Sequence, residues 1–323
     1  MKLGYFLASE EYGPRELVRQ AKLAEAAGFD RLWISDHFHP WNDHQGNSPF
    51  VWSVIGALSE VTRLPITTAV TCPLIRTHPA IVAQAAATAA VQTDGRFTLG
   101  VGTGEALNEH IFGAHWPASD VRRAMLTEAV ELIRALHRGG ELTYRGQHYT
   151  VEQARIYTLP EQPVPIYVSA FGPKAAKLAG QIGDGFISML PRATLVRAFR
   201  DNGGGRQPAQ AGLKVCYARS ESDGVRTAHR LWANDVLPGE LAQLLPTPRQ
   251  FESASTLVDP DAVANAMPCG PDPERYVRAI GEFDAAGYDE LYVQQIGTDQ
   301  RAFFDFWADK VAPRLGALEL AST

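Results

Sequence analysis

The sequence predicts an α/β protein built as a (β/α)8 TIM barrel with insertions, and three observations predict it. Eight strand-like runs alternate with helix-like runs from one end of the chain to the other. Four of the six helical runs open at Pro, and the first closes just before Gly, the asymmetry that helix termini favour. A weak internal repeat links the two ends. Ala26-Ala27-Gly28-Phe29-Asp30 leads into one strand, and Ala285-Ala286-Gly287-Tyr288-Asp289 leads into another.

In chain order the strand candidates are residues 3–7, 31–35, 66–71, 97–100, 166–169, 185–189, 214–218 and 290–294. Between them the apolar spacing predicts helices over 14–27, 49–61, 79–92, 121–136, 174–182 and 273–286. Pro14 opens the first helix and Gly28 sits just past its end, where glycine tolerates the left-handed conformation that stops a helix. Two insertions break the alternation. Residues 141–151 carry Tyr144-Arg145-Gly146-Gln147, which reads as a hairpin turn, and residues 236–262 predict extra helices over the barrel mouth. The stretch 201–212, with Gly203-Gly204-Gly205, reads as a mobile loop. An open doubly wound sheet would usually carry a Gly-rich dinucleotide turn after its first strand. That position reads Ala8-Ser9-Glu10-Glu11-Tyr12-Gly13 instead. No boundary divides the chain, so one domain over 1–323 is expected.

Apolar residues make up 45% of the 323, which is ordinary for a globular protein. A formal charge of −6 leaves no basic stripe, so no nucleic-acid partner is expected. No Lys/Arg-rich run and no stretch of 18 apolar residues points to a membrane. Cys72, Cys216 and Cys269 are too few and scattered for a disulfide framework or a zinc site, and Cys216 reads as core. The first residues form a strand-like run with no signal-peptide pattern. The expectation is a soluble, cytoplasmic protein acting on a small molecule.

The chemistry concentrates at two strand ends. Ligands of parallel α/β proteins sit there. The second strand runs into Ser35-Asp36-His37-Phe38-His39-Pro40-Trp41, presenting a carboxylate, an imidazole and an indole. An imidazole suits proton transfer near neutrality, which makes His37 a candidate base. Asp36, its neighbour, points to the other side of the strand. His37-Phe38-His39 also matches the His-x-His of barrel metallohydrolases. Later strand ends read Ser169-Ala170-Phe171-Gly172, Ser188-Met189-Leu190 and Tyr217-Ala218-Arg219, which add no ligand, so no metal is expected.

The fourth strand leads into Gly102-Thr103-Gly104-Glu105, with Asn108 three residues on. Small residues let a planar ligand approach the backbone. Glu105 in such a place can donate or accept a proton, or act merely as a helix cap or a solvated loop charge. Asn108 could reach the same ligand. After the fifth strand, Ser169-Ala170-Phe171-Gly172-Pro173 opens a helix whose first amides suit an anion. Arg192 could add a charge-assisted contact there, or could be a surface arginine.

These motifs resemble the luciferase-like family of flavin and deazaflavin enzymes over nearly the whole chain. Within that family they resemble the coenzyme F420-dependent glucose-6-phosphate dehydrogenases and their relatives. The matching residues are Ser35-Asp36-His37-Phe38 with Pro40-Trp41, the stretch 100–108, Gly172-Pro173 with Gly183-Asp184-Gly185-Phe186-Ile187, and Asp299-Gln300-Arg301. The resemblance implies a homodimeric barrel with the deazaflavin at its C-terminal face. It implies a cis peptide at Ala69-Val70. It implies cofactor contacts at Asp36, Ala69, Val70, Cys72, Gly104, Asn108, Ser169, Ala170, Phe171, Gly172 and Met189.

It also implies an oxidoreductase in which His37 takes the proton of a substrate hydroxyl while hydride passes to C5 of F420. Glu105 is then the acid at the ring nitrogen, and Trp41 stabilises the reacting complex. The glucose-6-phosphate enzymes hold the sugar phosphate with three basic residues. One matches Arg192, while the other two fall on or near Ala242 and Ala266. Losing two cations at roughly 1.5–3 kcal/mol per charged hydrogen bond favours another sugar phosphate, an alcohol or a ketone. Two other readings share the fold or the ligand: a flavin mononucleotide (FMN) monooxygenase, and a non-catalytic F420-binding protein.

Overall fold

A computed structural model describes residues 1–321; the last two residues of the expected 1–323 span lie outside the described residues. Its strands are β1 (Lys2–Leu7), β2 (Arg31–Ile34), β3 (Ile66–Thr68), β4 (Phe97–Val101), β5 (Leu142–Arg145), β6 (Thr150–Ala154), β7 (Ile166–Ser169), β8 (Gly185–Ser188), β9 (Ala209–Val215) and β10 (Glu290–Gln295). Eight of them close a parallel barrel in the order β1-β2-β3-β4-β7-β8-β9-β10, with β10 returning to β1. Strands β5 and β6 form a separate antiparallel hairpin, as the 141–151 insertion predicts. The expected helices appear as Pro14–Ala26, Val51–Ser59, Pro79–Gln92, Ser119–His137, Pro173–Ile182 and Pro273–Ala285.

The barrel interior is filled rather than open. Trp33 stacks on Tyr292 at 4.3 Å, and Phe6 meets Trp33 edge-on at 5.5 Å. Ile187 completes this layer. Gly212 makes the layer possible, because a Cβ there would strike Met189 and Trp33. Beneath it, Glu290 pairs with Arg31 and accepts from Gln210 and from the Tyr292 hydroxyl. Buried charge needs such pairing and hydrogen bonding to persist. The floor is therefore solid, and any ligand must sit above it at the C-terminal ends of the strands.

Three sequence expectations need correction. The strand expected at 214–218 is β9 at Ala209–Val215, displaced toward the N-terminus. Its Ala-Gln-Ala-Gly start carries little β-branched signal. Small residues and the bonded Gln210 amide are what the crowded interior requires. The supposed mobile loop at 201–212 is instead a tight turn, Arg200–Gly204, running into that strand. Gly203, at φ +114°, lies against the backbone of Gly180, so the glycines serve close approach. The third strand ends at Thr68 rather than at residue 71, and the Ala69-Val70 peptide beyond it is cis.

The second insertion holds short helices at Leu241–Leu244, Pro248–Ser255 and Pro260–Ala266. Pro opens two of them, and Thr247 and Asp259 cap them by accepting from backbone N–H groups. Phe251, fully buried, anchors the middle helix.

Candidate active site

His37 stands at the end of β2 with one-tenth of its side chain exposed. Its Nε2 lies 3.4 Å from Oε1 of Glu10, whose side chain is still more buried. Glu10 comes from the loop after β1, and its other oxygen accepts from the Ser35 hydroxyl at 2.6 Å. Ser35 in turn accepts from the Ser9 amide at 2.8 Å, so the carboxylate is fixed from behind. On the opposite edge of the ring, His37 Nδ1 lies 3.1 Å from the His39 carbonyl and 3.2 Å from the Asn108 amide nitrogen. A protonated His37 would have an acceptor on each nitrogen, the His39 carbonyl and Glu10.

Asn108 lies between His37 and the second titratable group, Glu105. Its Oδ1 accepts from the Phe38 and His39 amides at 2.9 and 3.2 Å. That contact orients the carboxamide, so Nδ2 faces both His37 and Glu105, the latter at 3.1 Å. Glu105 occupies the N-cap position of the short helix Ala106–Glu109 without capping it through its side chain. Its carboxyl is left half-buried, held by Asn108. Trp41 packs 5.0 Å from the His37 ring and meets Phe251 of the insertion edge-on.

The insertion is tied down around this pair. The Asp43 amide donates to Glu252 at 2.9 Å. Asn42 and Gln45 both donate at 2.9 Å to the carbonyl of Leu231, on the helix Glu221–Trp232 that precedes the insertion. The 236–262 segment thus packs against the His37–Trp41 side of the mouth.

Asp36 turns away from His37, as its position predicts. Its Oδ2 accepts from Thr71 at 2.8 Å and its Oδ1 from Arg76 at 2.9 Å. Arg76, 8% exposed, also approaches Glu109 at 3.5 Å, and Glu109 accepts from the Ile75 and Arg76 amides. One buried guanidinium thus joins the ends of β2, β3 and β4. Burial pushes the Glu109 carboxyl up, against the opposing pull of those amides and Arg76. Burial, then Glu109 and Glu105, push the Cys72 thiol well up, so it behaves as a packing group. Cys72 lies against Gly104, whose φ of +72° and crowded Cβ position exclude any side chain.

The remaining expected ligand residues line the same mouth. Ala69, Val70 and Met189 pack half-buried on the Phe6–Trp33–Ile187–Tyr292 layer and form an apolar shelf. Ser169, Ala170, Phe171 and Gly172 lead into the helix Pro173–Ile182, with Phe171 about half exposed. Arg192 is exposed at the N-cap of the helix Ala193–Phe199 and makes no ion pair among the described residues. Ala242 lies on the insertion, and Ala266 is exposed at its end. Sequence reasoning missed Glu10, Arg76 and Glu109. Glu10 was legible as a polar residue at the end of β1, the same strand-end position that singled out His37.

Three comparisons show what this chain is similar to. The model of the luciferase-like monooxygenase family matches residues 1–290. An F420-dependent glucose-6-phosphate dehydrogenase of Amycolatopsis mediterranei is 35% identical over 332 residues, covering 98% of this chain and 99% of that one. The enzyme of the same name from Mycolicibacterium fortuitum is 37% identical over 333 residues, covering 98% and 99%. Among solved structures, an F420-dependent secondary alcohol dehydrogenase in complex with an F420-acetone adduct superposes with a TM-score of 0.90. It is 30% identical and covers 97% of this chain and 98% of its own.

Proposed function

The chain belongs to the luciferase-like monooxygenase family, and from that premise we propose an F420-dependent dehydrogenase or reductase that uses His37 as base and Glu105 as acid on a CH–OH carbon or its carbonyl. The cofactor is coenzyme F420, the group named in the sequence relatives and held in the solved alcohol dehydrogenase. The residues present fit it. The shelf of Ala69, Val70 and Met189 suits one face of a planar ring, and Gly102, Gly104 and Ser169 keep the rim low. Asp36, Cys72, Asn108 and the turn 169–172 would complete the hold. When bound, F420 supplies the carbon that accepts or returns hydride.

The observation that carries the mechanism is the pairing of His37 with Glu10. In the neutral ring that donates from Nδ1 to the His39 carbonyl, Nε2 keeps its lone pair and can take a hydroxyl proton. The imidazolium so formed meets the Glu10 carboxylate, which stabilises charge where it develops. Asn108 holds the backbone of the His37 loop through its Oδ1 and Glu105 through its Nδ2, so the two proton sites stay separate and oriented. Trp41, backed by Phe251, fills the space beside His37 and keeps water from the base.

The substrate is best read as a compact alcohol or ketone. Arg192 is the one cation among the three positions, and Ala242 and Ala266 offer none. A homodimer is the assembly the resemblance implies, and light scattering checks it. A fluorescence titration with F420 beside FMN, followed by a panel of alcohols and sugar phosphates read by loss of oxidised-F420 absorbance, tests the proposal. Tight F420 binding with turnover of neutral alcohols supports it. Preference for FMN with oxygen consumption would replace it with a monooxygenase.

A further inference from the structure

Gln294 stands on β10 two residues beyond Tyr292, so the strand turns both side chains to the barrel interior. Tyr292 belongs to the layer that closes the floor. Gln294 therefore lies one layer higher, toward the mouth. It is fully buried, yet neither its Oε1 nor its Nε2 has a hydrogen-bond partner among the described residues. Gln210, deeper in the barrel, is treated differently: it accepts from Trp33 and donates to Glu290 and Tyr292. A buried amide left unpaired works against the fold, which marks Gln294 as a residue kept for another reason.

Lys214 is the register partner of Gln294 on β9, on the interior face it shares with Gly212. Its ammonium pairs with Asp235 at 2.6 Å and lies 4.3 Å over the Trp232 ring. Asp235 belongs to the turn Ala233–Val236, which leads into the covering segment. The cation is thus fixed in place and its charge is balanced, while its ammonium keeps further N–H donors. β1 lies between β10 and β2 in the barrel. Gln294 is therefore two strand spacings, about 10 Å, from the strand that presents His37.

We propose that Gln294, with Lys214 beside it, is a specificity-determining subsite that takes a second, uncharged hydroxyl of the substrate. The inference rests on the reading of His37 as the base, and it narrows the substrate from a compact alcohol to a compact polyol or its hydroxyketone. A hydroxyl suits this corner because it both donates and accepts. It can give its proton to Oε1 of Gln294 while accepting from Lys214, or accept from Nε2. A phosphate or carboxylate would leave Oε1 unpaired and would meet a lysine already balanced by Asp235. The span to β2 suits a small molecule held by a hydrogen bond at each end, one to His37 and one to Gln294.

The test compares propane-1,2-diol with propan-2-ol, which lacks the second hydroxyl, as reductants of F420. Wild type should use the diol with a kcat/KM about 100-fold higher or more, because a site built to bond a hydroxyl rejects the analogue without it. Gln294→Leu keeps the volume and removes the amide. It should bring the two values within about threefold by lowering that of the diol alone. It should also melt no lower than wild type, since an unpartnered amide adds nothing to stability. Equal use of the two alcohols by wild type, an equal fall for both in Gln294→Leu, or a variant that melts well below wild type would each overturn the proposal, the last by making the amide a structural group. Saturation-transfer NMR with the diol separates the subsite from the reading of the reaction. If neither alcohol reduces F420, a diol signal in wild type that disappears in Gln294→Leu upholds the subsite and removes the dehydrogenase. The same signal in both proteins, or none in either, removes the subsite. The wild-type comparison of the two alcohols needs no variant, so the test stands even if the substitution fails to fold.

Discussion

Nε2 of His37 lies 3.4 Å from Oε1 of Glu10, two residues from different strand ends, Glu10 in the loop after β1 and His37 in the loop after β2. Under the proposed mechanism the pair marks the reaction side of the mouth, gives the base a fixed partner for the charge it acquires, and makes the loop after β1 part of the site.

Glu10→Gln should therefore lower kcat by about 10- to 100-fold, the usual weight of an acid–base contribution. The amide keeps the shape and the Ser35 contact but cannot stabilise an imidazolium as a carboxylate does. F420 affinity should stay within about twofold of wild type, because Glu10 faces His37 rather than the shelf. Steady-state kinetics beside a fluorescence titration separate the two effects.

Asn108→Ala should cost both stability and rate. The side chain satisfies the Phe38 and His39 amides, which fixes the His37 loop, and donates to Glu105. Leaving buried donors unpaired costs about 1–3 kcal/mol, measurable by urea unfolding. The expected kinetic signature is a fall in kcat larger than any rise in KM.

Arg76→Met should be the most destabilising of these changes. It would leave Asp36 and Glu109 buried without their shared cation. Removing one partner of a buried ion pair costs about 3–5 kcal/mol. Chemical denaturation measures it, and Asp36→Asn in the same background should recover part of the loss.

The pH dependence of stability has a definite sign. Glu11 and Glu109 both carry carboxyls raised above their ordinary value, Glu11 to about 7. A raised acid contributes stability that is whole below its unfolded value and is lost as pH rises through its folded value. The melting temperature should thus decline from about pH 4.5 to about pH 7 through these two groups. Glu109→Gln should make the decline shallower, as a thermal-shift series across that range would read.

Much of this was legible in the chain, and what was not has physical causes. Strands such as Arg31–Ile34 and Glu290–Gln295 announce themselves through apolar and aromatic residues. Ala209–Val215 does not, because its composition answers to the crowded interior around Trp33 and Met189 rather than to strand propensity. The glycines of 203–205 read as flexibility when one of them lies against Gly180. His37, Trp41, Glu105 and Asn108 stood out because their types and strand-end positions coincide. Which residues pair with which could not be read the same way. Glu10 and His37 lie 27 positions apart, and Arg76 meets Asp36 across 40, distances no local pattern reports.

The central claim, that His37 moves the substrate proton while other residues hold F420, is tested most directly by His37→Asn. The account predicts F420 binding within about threefold of wild type by fluorescence titration, with alcohol-dependent F420 reduction lowered by about 100-fold or more. Undiminished reduction by the variant would contradict it and move the base elsewhere in the mouth.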